Sequence, residues 1–161
     1  MIRSVRIEDA TEICEIYNHY VLQSIITFEE DPVSKDKMSI RISSTLNDLP
    51  WIVYTENKKI LGFAYASKWK SRCAYKNSVE STVYVKNDYH GKKIGSQLYQ
   101  ELMNQISKTD IHAVIGGIAL PNDHSIALHE RFGFEKVAHF KEVGFKFNQW
   151  IDVGYWQKLL N

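Results

Sequence analysis

Val79, Val83 and Val85 alternate with Glu80, Thr82 and Tyr84, the pattern of a strand with two unlike faces. A turn-forming run follows from Lys86 to Tyr89. Beyond Gly91, Ile94, Leu98, Leu102 and Ile106 recur at every fourth position, as they do along one side of a helix. The middle of the chain therefore reads as strand, basic glycine-containing turn, helix. Upstream, Ile2 to Ile7 reads as a short first strand. Asp9 opens a helix, with Glu12 three residues on in a capping-box-like pairing, and its apolar stripe runs through Ala10, Ile13, Cys14, Tyr17, Tyr20 and Val21. Ser24 to Pro32 is a loop with exposed-looking apolar residues. A second helix begins at Ser34 and ends before Asn47 to Pro50, and Trp51–Thr55 and Ile60–Ser67 form a hairpin across Glu56 to Lys59. Downstream, Ile111 to Gly117 is a further strand, Asn122 caps a short helix ending at Gly133, and Phe134–Phe147 and Trp150–Leu159 are two aromatic-rich strands.

The order β-α-α-β-β-β-α-β-α-β-β implies an α/β (α+β) fold, with one mixed, mostly antiparallel sheet and helices on both faces. With no repeat, linker or low-complexity segment, residues 1–161 are expected to form a single domain. Twenty basic and 19 acidic residues give a net charge of +1, which leaves no field for nonspecific nucleic-acid binding. Cys14 and Cys73 make neither a disulfide framework nor a metal cluster. No apolar run approaches the ~20 residues of a membrane span. The first residues lack the apolar core of a signal peptide, so a cytoplasmic location is expected.

The strand–turn–helix unit can present free backbone N–H groups and the positive end of a helix dipole to a phosphate or pyrophosphate. It is neither a Walker A loop nor the Gly-x-Gly-x-x-Gly of a dinucleotide fold, and a tight turn with solvated lysines accounts for the spacing equally well. His90-Gly91-Lys92-Lys93-Ile94-Gly95-Ser96 nevertheless resembles the acetyl-CoA loop of the GCN5-related N-acetyltransferase (GNAT) superfamily, Arg/Gln-x-x-Gly-x-Gly/Ala. His90 and Lys93 depart from that pattern and Gly95 keeps it. The element order is also that superfamily's.

Acetyl transfer from a thioester to an amine needs a neutral amine near the carbonyl, donors for developing negative charge and a proton for the departing thiolate. Glu80, on the central strand a few residues before the turn, is the general-base candidate; a half-exposed carboxylate in an ion pair is the alternative. His129 stands where many superfamily members have the tyrosine that protonates the thiolate, and it could do the same or relay a proton from the amine. A hydrogen-bonded helix histidine is the plainer reading. His129-Glu130 has no second histidine four residues on, and the other histidines show no ligand spacing, so no metal is expected. Asn122 and Ser125 are ordinary helix-start residues; in the superfamily their equivalents often touch the pantetheine arm or the phosphates.

Outside the loop, Trp69–Tyr75, Ser78–Val85, Thr27-Phe28-Glu29, Asn122–Phe134 and Val143–Val153 resemble the phosphinothricin acetyltransferases and their methionine sulfoximine and sulfone relatives. That resemblance spans essentially the whole chain. It implies acetyl-CoA as cosubstrate, transfer to the α-amine of a small glutamate-like amino acid, and a homodimer. Lys70, Arg72 and Tyr75 become substrate contacts whose cationic and phenolic donors suit a carboxylate and a phosphinate, with Thr82 and Phe28 beside them. Val83, Tyr84 and Val85 would hold the pantetheine by strand-like hydrogen bonds, with His90 to Ser96 on the phosphates. Aromatic Phe145, Phe147, Trp150, Tyr155 and Trp156 suit either a dimer interface or the core. A different amine on the same fold, an acetyl-CoA-binding module without catalysis, and a phosphate-loop nucleotide protein are the competing readings.

Overall fold

The computed structural model describes residues 1–160. Seven strands form one sheet: β1 (Ile2–Ser4), β2 (Trp51–Glu56), β3 (Lys59–Lys68), β4 (Ser78–Val85), β5 (Ala113–Ala119), β6 (Glu135–Lys146) and β7 (Gln149–Leu159). Their spatial order is β1-β2-β3-β4-β5-β7-β6. All neighbours are antiparallel except β4 and β5, which run parallel. Among the described residues four α-helices accompany the sheet: α1 (Ala10–Gln23), α2 (Lys35–Leu46), α3 (Ile94–Ile106) and α4 (Asp123–Arg131). The element order is the one the periodicities predict.

Both faces of the sheet are covered, which explains why β3 and β4 carry apolar residues in both registers. On one face α1 and α2 bury Ile13, Tyr17 and Ile42 against Trp51, Phe63 and Tyr84. On the other, α3 buries Leu98, Tyr99 and Leu102 against Val79, Val114 and Trp156. Truncating a fully buried side chain such as Leu102 to alanine is expected to cost about 2–5 kcal/mol. The two hairpins turn through two-residue loops, Asn57-Lys58 and Phe147-Asn148, in which both residues have positive φ. That backbone matches the right-handed twist of the flanking strands. Among the described residues, no helix is long and apolar enough to cross a membrane.

The N-terminal segment departs from expectation. The first strand ends at Ser4, and Ile7–Asp9 is a turn of 3-10 helix before α1. The Asp9–Glu12 capping pair does not form. Asp9 instead accepts from the Arg6 backbone N–H at 2.7 Å and takes both guanidinium nitrogens of Arg3, while Glu12 on α1 accepts from the Ile60 N–H of β3. A partly buried carboxylate gains more from a bidentate charged partner than from one helix N–H. The aromatics of the last two strands divide: Trp156 is core and Tyr155 half-buried, but Phe145, Phe147 and Trp150 are exposed.

Candidate active site

The site begins where β4 and β5 part. They pair only at Ser78–Ala113, Val79–Val114 and Glu80–Ile115, so beyond Glu80 one edge of β4 is unpaired while the other stays bonded to β3 through Val85. β5 meanwhile stays paired with β7 through Ala119. The gap opens a cavity of about 450 Å3 beside Glu80.

Two adjacent glycines on β5 make room for the reactive side chains, one on each face. A Cβ on Gly117 would lie 3.3 Å from Glu80 Oε1 and 3.1 Å from the Tyr155 ring. A Cβ on Gly116 would fall 2.4 Å from His129 Nε2, a distance no real atom could keep. Burial raises the Glu80 pKa above the usual carboxylate value, and the Lys70 charge pulls it partway back. The Tyr155 phenol is likewise pushed up, by burial and by Glu80.

His129 is 5% exposed. Its Nδ1 lies 2.7 Å from the Ser125 carbonyl oxygen, one helical turn back, so Nδ1 must carry the proton and donate it there. Nε2 is then a bare acceptor, and it is buried without a protein partner. Burial lowers the imidazole pKa although the Ser125 carbonyl opposes it, which favours the neutral ring. The residue that fixes this tautomer also lines the cavity, and α4 itself starts on Asn122, whose Oδ1 accepts from the Ser125 N–H.

From the cavity a groove continues between β4 and α4 toward the start of α3, lined in turn by Val83–Val85, Asn122 and Ser125, and then by His90, Gly91 and Gly95. At its far end Lys93, Ile94 and Ser96 are joined by His124 and Arg131. The Ile94, Gly95 and Ser96 N–H groups fall in the first turn of α3, where no helical carbonyl can take them. Lys93 immediately before them has φ +61°. It adopts the left-handed conformation that the glycine of the acetyl-CoA loop pattern supplies without strain. The Tyr20 hydroxyl donates to the Val85 carbonyl oxygen, so His90 Nε2, 2.8 Å from the phenol, is the donor in that contact. Burial, His124 and His19 all lower the His90 pKa.

An unpaired strand edge, a polar-ended groove and free helix N–H groups suit a long ligand with amides in the middle and phosphates at one end. Among the described residues no cluster suited to a metal ion occurs.

Of the residues singled out from sequence, Phe28, Glu80, Thr82, Val83, Tyr84, Ser125 and His129 meet at the cavity. Val85, His90, Gly91, Lys93, Ile94, Gly95, Ser96 and Asn122 line the groove. Lys92 stands apart, its ammonium 4.3 Å from the Tyr89 ring centre. Lys70, Arg72 and Tyr75 line a separate cleft along the β3–β4 connection; among them, Lys70 acts electrostatically on Glu80. Tyr17, Tyr65, Val143 and the Gly116-Gly117 pair also shape the site, and none of them stands out in the sequence as a site residue. The glycine pair was the available signal, since paired glycines inside a strand mark a close approach.

The family of the acetyltransferase (GNAT) domain matches residues 2–154. A phosphinothricin N-acetyltransferase of Streptomyces coelicolor is 38% identical over 157 residues, 95% of this chain and 92% of the relative. An L-methionine sulfoximine/L-methionine sulfone acetyltransferase of Salmonella typhimurium is 32% identical over 95% of this chain and 90% of its own. The crystal structure of a GNAT superfamily phosphinothricin acetyltransferase from Sinorhizobium meliloti, in complex with AcCoA, superposes with a TM-score of 0.96 at 34% identity, covering 100% of this chain and 88% of that one. The strand gap, the groove and these likenesses agree: the chain belongs to the GNAT acetyltransferase family and is an N-acetyltransferase.

Proposed function

We propose that the protein moves the acetyl group of acetyl-CoA to the α-amine of a small glutamate-like amino acid such as phosphinothricin, methionine sulfoximine or methionine sulfone, by direct attack. The observation that carries this reading is the Glu80 carboxyl group, held with a raised pKa at the point where the free edge of β4 begins. Acetyl-CoA in the groove supplies an activated thioester carbonyl. Its pantetheine would lie along Val83–Val85, with its phosphates at the α3 N-terminus beside Lys93 and Arg131. Glu80, through a water, accepts the proton of the incoming ammonium and leaves a neutral amine; a raised pKa makes it a better match to that proton than an ordinary carboxylate. A β4 backbone N–H on the unpaired edge faces the developing negative charge. Collapse of the tetrahedral adduct breaks the C–S bond, and CoA leaves as the thiol with the second proton shed by the attacking nitrogen, a transfer that neutral His129 assists.

Lys70, Arg72 and Tyr75 line a cleft apart from this cavity and are set aside as substrate contacts, Lys70 acting only through its charge on Glu80, while the exposed Phe145, Phe147 and Trp150 serve as part of a homodimer interface in a cytoplasmic enzyme. Among the described residues the cavity wall itself carries no lysine or arginine, which favours a neutral side chain such as that of methionine sulfone over the charged phosphinothricin. Thiol release from acetyl-CoA, with phosphinothricin, methionine sulfoximine, methionine sulfone, glutamate and spermidine in parallel, decides. Release with the first three alone is expected. Release with spermidine alone, or with none while acetyl-CoA still binds, contradicts the substrate assignment.

A further inference from the structure

Lys146, at the end of β6, is 2% exposed, yet among the described residues it has no carboxylate within ion-pair distance. Its ammonium donates to the Thr27 carbonyl oxygen at 2.7 Å and lies 5.0 Å from the Phe147 ring centre. Burying an ammonium is expensive, and apolar side chains of the same volume usually serve a fold as well or better. Its bond to Thr27 is the clue to what it does.

Thr27 and Phe28 belong to the loop between α1 and α2, and both line the cavity beside Glu80. The inner side of that loop is tied down by a chain of hydrogen bonds. The Thr27 hydroxyl donates to the Tyr17 phenol at 2.7 Å, the phenol donates to Glu29, and Glu29 takes both guanidinium nitrogens of Arg41 at 2.8 and 2.5 Å. The outer side rests on β6. The Phe28 ring sits where a side chain on Gly144 would be, since a Cβ there would lie 2.4 Å from it. Gly144 and Lys146, two residues apart on one strand, share a face. Just before Gly144 the pairing of β6 with β7 slips, and Asp152 holds the slipped segment by accepting from the Glu142 N–H at 2.8 Å and pairing with His139 at 2.7 Å. That slip carries Val143 to the cavity wall.

We propose that the Lys146 ammonium and the Gly144 seat form a latch that fixes Thr27 and Phe28 as the outer wall of the amine cavity, so that both β6 residues position the wall that recognises the amine substrate. The proposal rests on the reading of the cavity as the amine site. Its first test needs no substrate. Hydrogen exchange is followed in the wild type, in Lys146→Met, which keeps the length and loses the donor, and in Gly144→Ala, which fills the seat without touching the charge. Amides of residues 24–33 are expected to exchange at least about tenfold faster in both variants, with α3 and β4 unchanged. Unchanged exchange in this loop, or equal acceleration throughout the chain, would overturn the latch.

The second test is kinetic. Gly144→Ala is expected to raise KM for the amine about tenfold while KM for acetyl-CoA stays within about twofold, and to have no further effect in a Phe28→Ala background. An unchanged amine KM, or additive effects of the two substitutions, would overturn the positioning role. If no amine in the panel is acetylated, the function proposed above fails, while the exchange result still decides whether the latch exists.

Discussion

The groove beside α3 and the cavity beside Glu80 lie end to end, yet they are made of different parts of the chain. The groove is mostly backbone: the free edge of β4, the first-turn N–H groups of α3 and the left-handed residue before them. Most of its lining is one stretch of sequence from Val83 to Ser96, closed by α4 and by Tyr20 and Ile26. The cavity is mostly side chains, drawn from α1, the α1–α2 loop, β3, β4, β5, α4, β6 and β7. A backbone site tolerates substitution as long as φ and ψ are kept, whereas a side-chain site depends on the identity and protonation of each group. Hence His90 and Lys93 can depart from the superfamily pattern without destroying the groove. The cavity has no comparable latitude at Glu80.

The contrast is sharpest in Glu80→Gln. Turnover is expected to fall about 10²–10⁴-fold, the range of a lost general base, while the acetyl-CoA Kd, measured by calorimetry, stays within about twofold. A buried carboxyl whose pKa is raised in the fold binds its proton more tightly there than in the unfolded chain. The stability it contributes is therefore present below its unfolded pKa and lost as pH rises through the folded value. Glu80→Gln should consequently melt no lower than the wild type at pH 7. A lower Tm with normal turnover would make Glu80 a structural residue.

Smaller effects are expected at the β5 glycines. Gly116→Ala forces the His129 imidazole off its seat, with about 1–3 kcal/mol lost in stability and turnover reduced about tenfold. Gly117→Ala, whose Cβ meets only the Tyr155 and Glu80 side chains at 3.1–3.3 Å, is expected to do less on both counts. Denaturant melts and kcat for the pair check the order; the reverse order would contradict the placement of His129. Smallest is the groove. Lys93→Gly relieves a positive φ and should leave stability within about 1 kcal/mol of the wild type or above it, whereas Lys93→Val, β-branched at the same φ, should lower it. A gain from valine would show that the left-handed geometry is not needed there.

The same contrast explains what could be read in advance. The order of elements followed from periodicity, because strands two residues in period and helices of 3.6 leave local marks. The groove was legible as one strand–turn–helix unit. Glu80 and His129 were found through resemblance, not through spacing, since nothing in the local pattern brings β4 to α4. Tyr17, Tyr65 and Tyr155 enter the cavity only through tertiary packing and look like core residues in sequence. Tyr155 in particular is open between core and interface in the sequence, and it lines the cavity with Glu80 instead. The Asp9–Glu12 pair was a sound local expectation that longer-range partners overrode: Arg3 took Asp9, and the backbone of β3 took Glu12.

The pH dependence of kcat/KM, in the wild type and in Glu80→Gln, tests the role of Glu80 most directly. Only ionised Glu80 can accept a proton, so wild-type activity is expected to rise with pH along an acidic limb displaced above 4.5, the usual value for a glutamic acid. The substrate amine adds its own limb at higher pH in both proteins. Loss of the lower limb in Glu80→Gln, together with most of the activity, is the predicted result. An identical acidic limb in the variant, at undiminished rate, would contradict the assignment of Glu80 as the base.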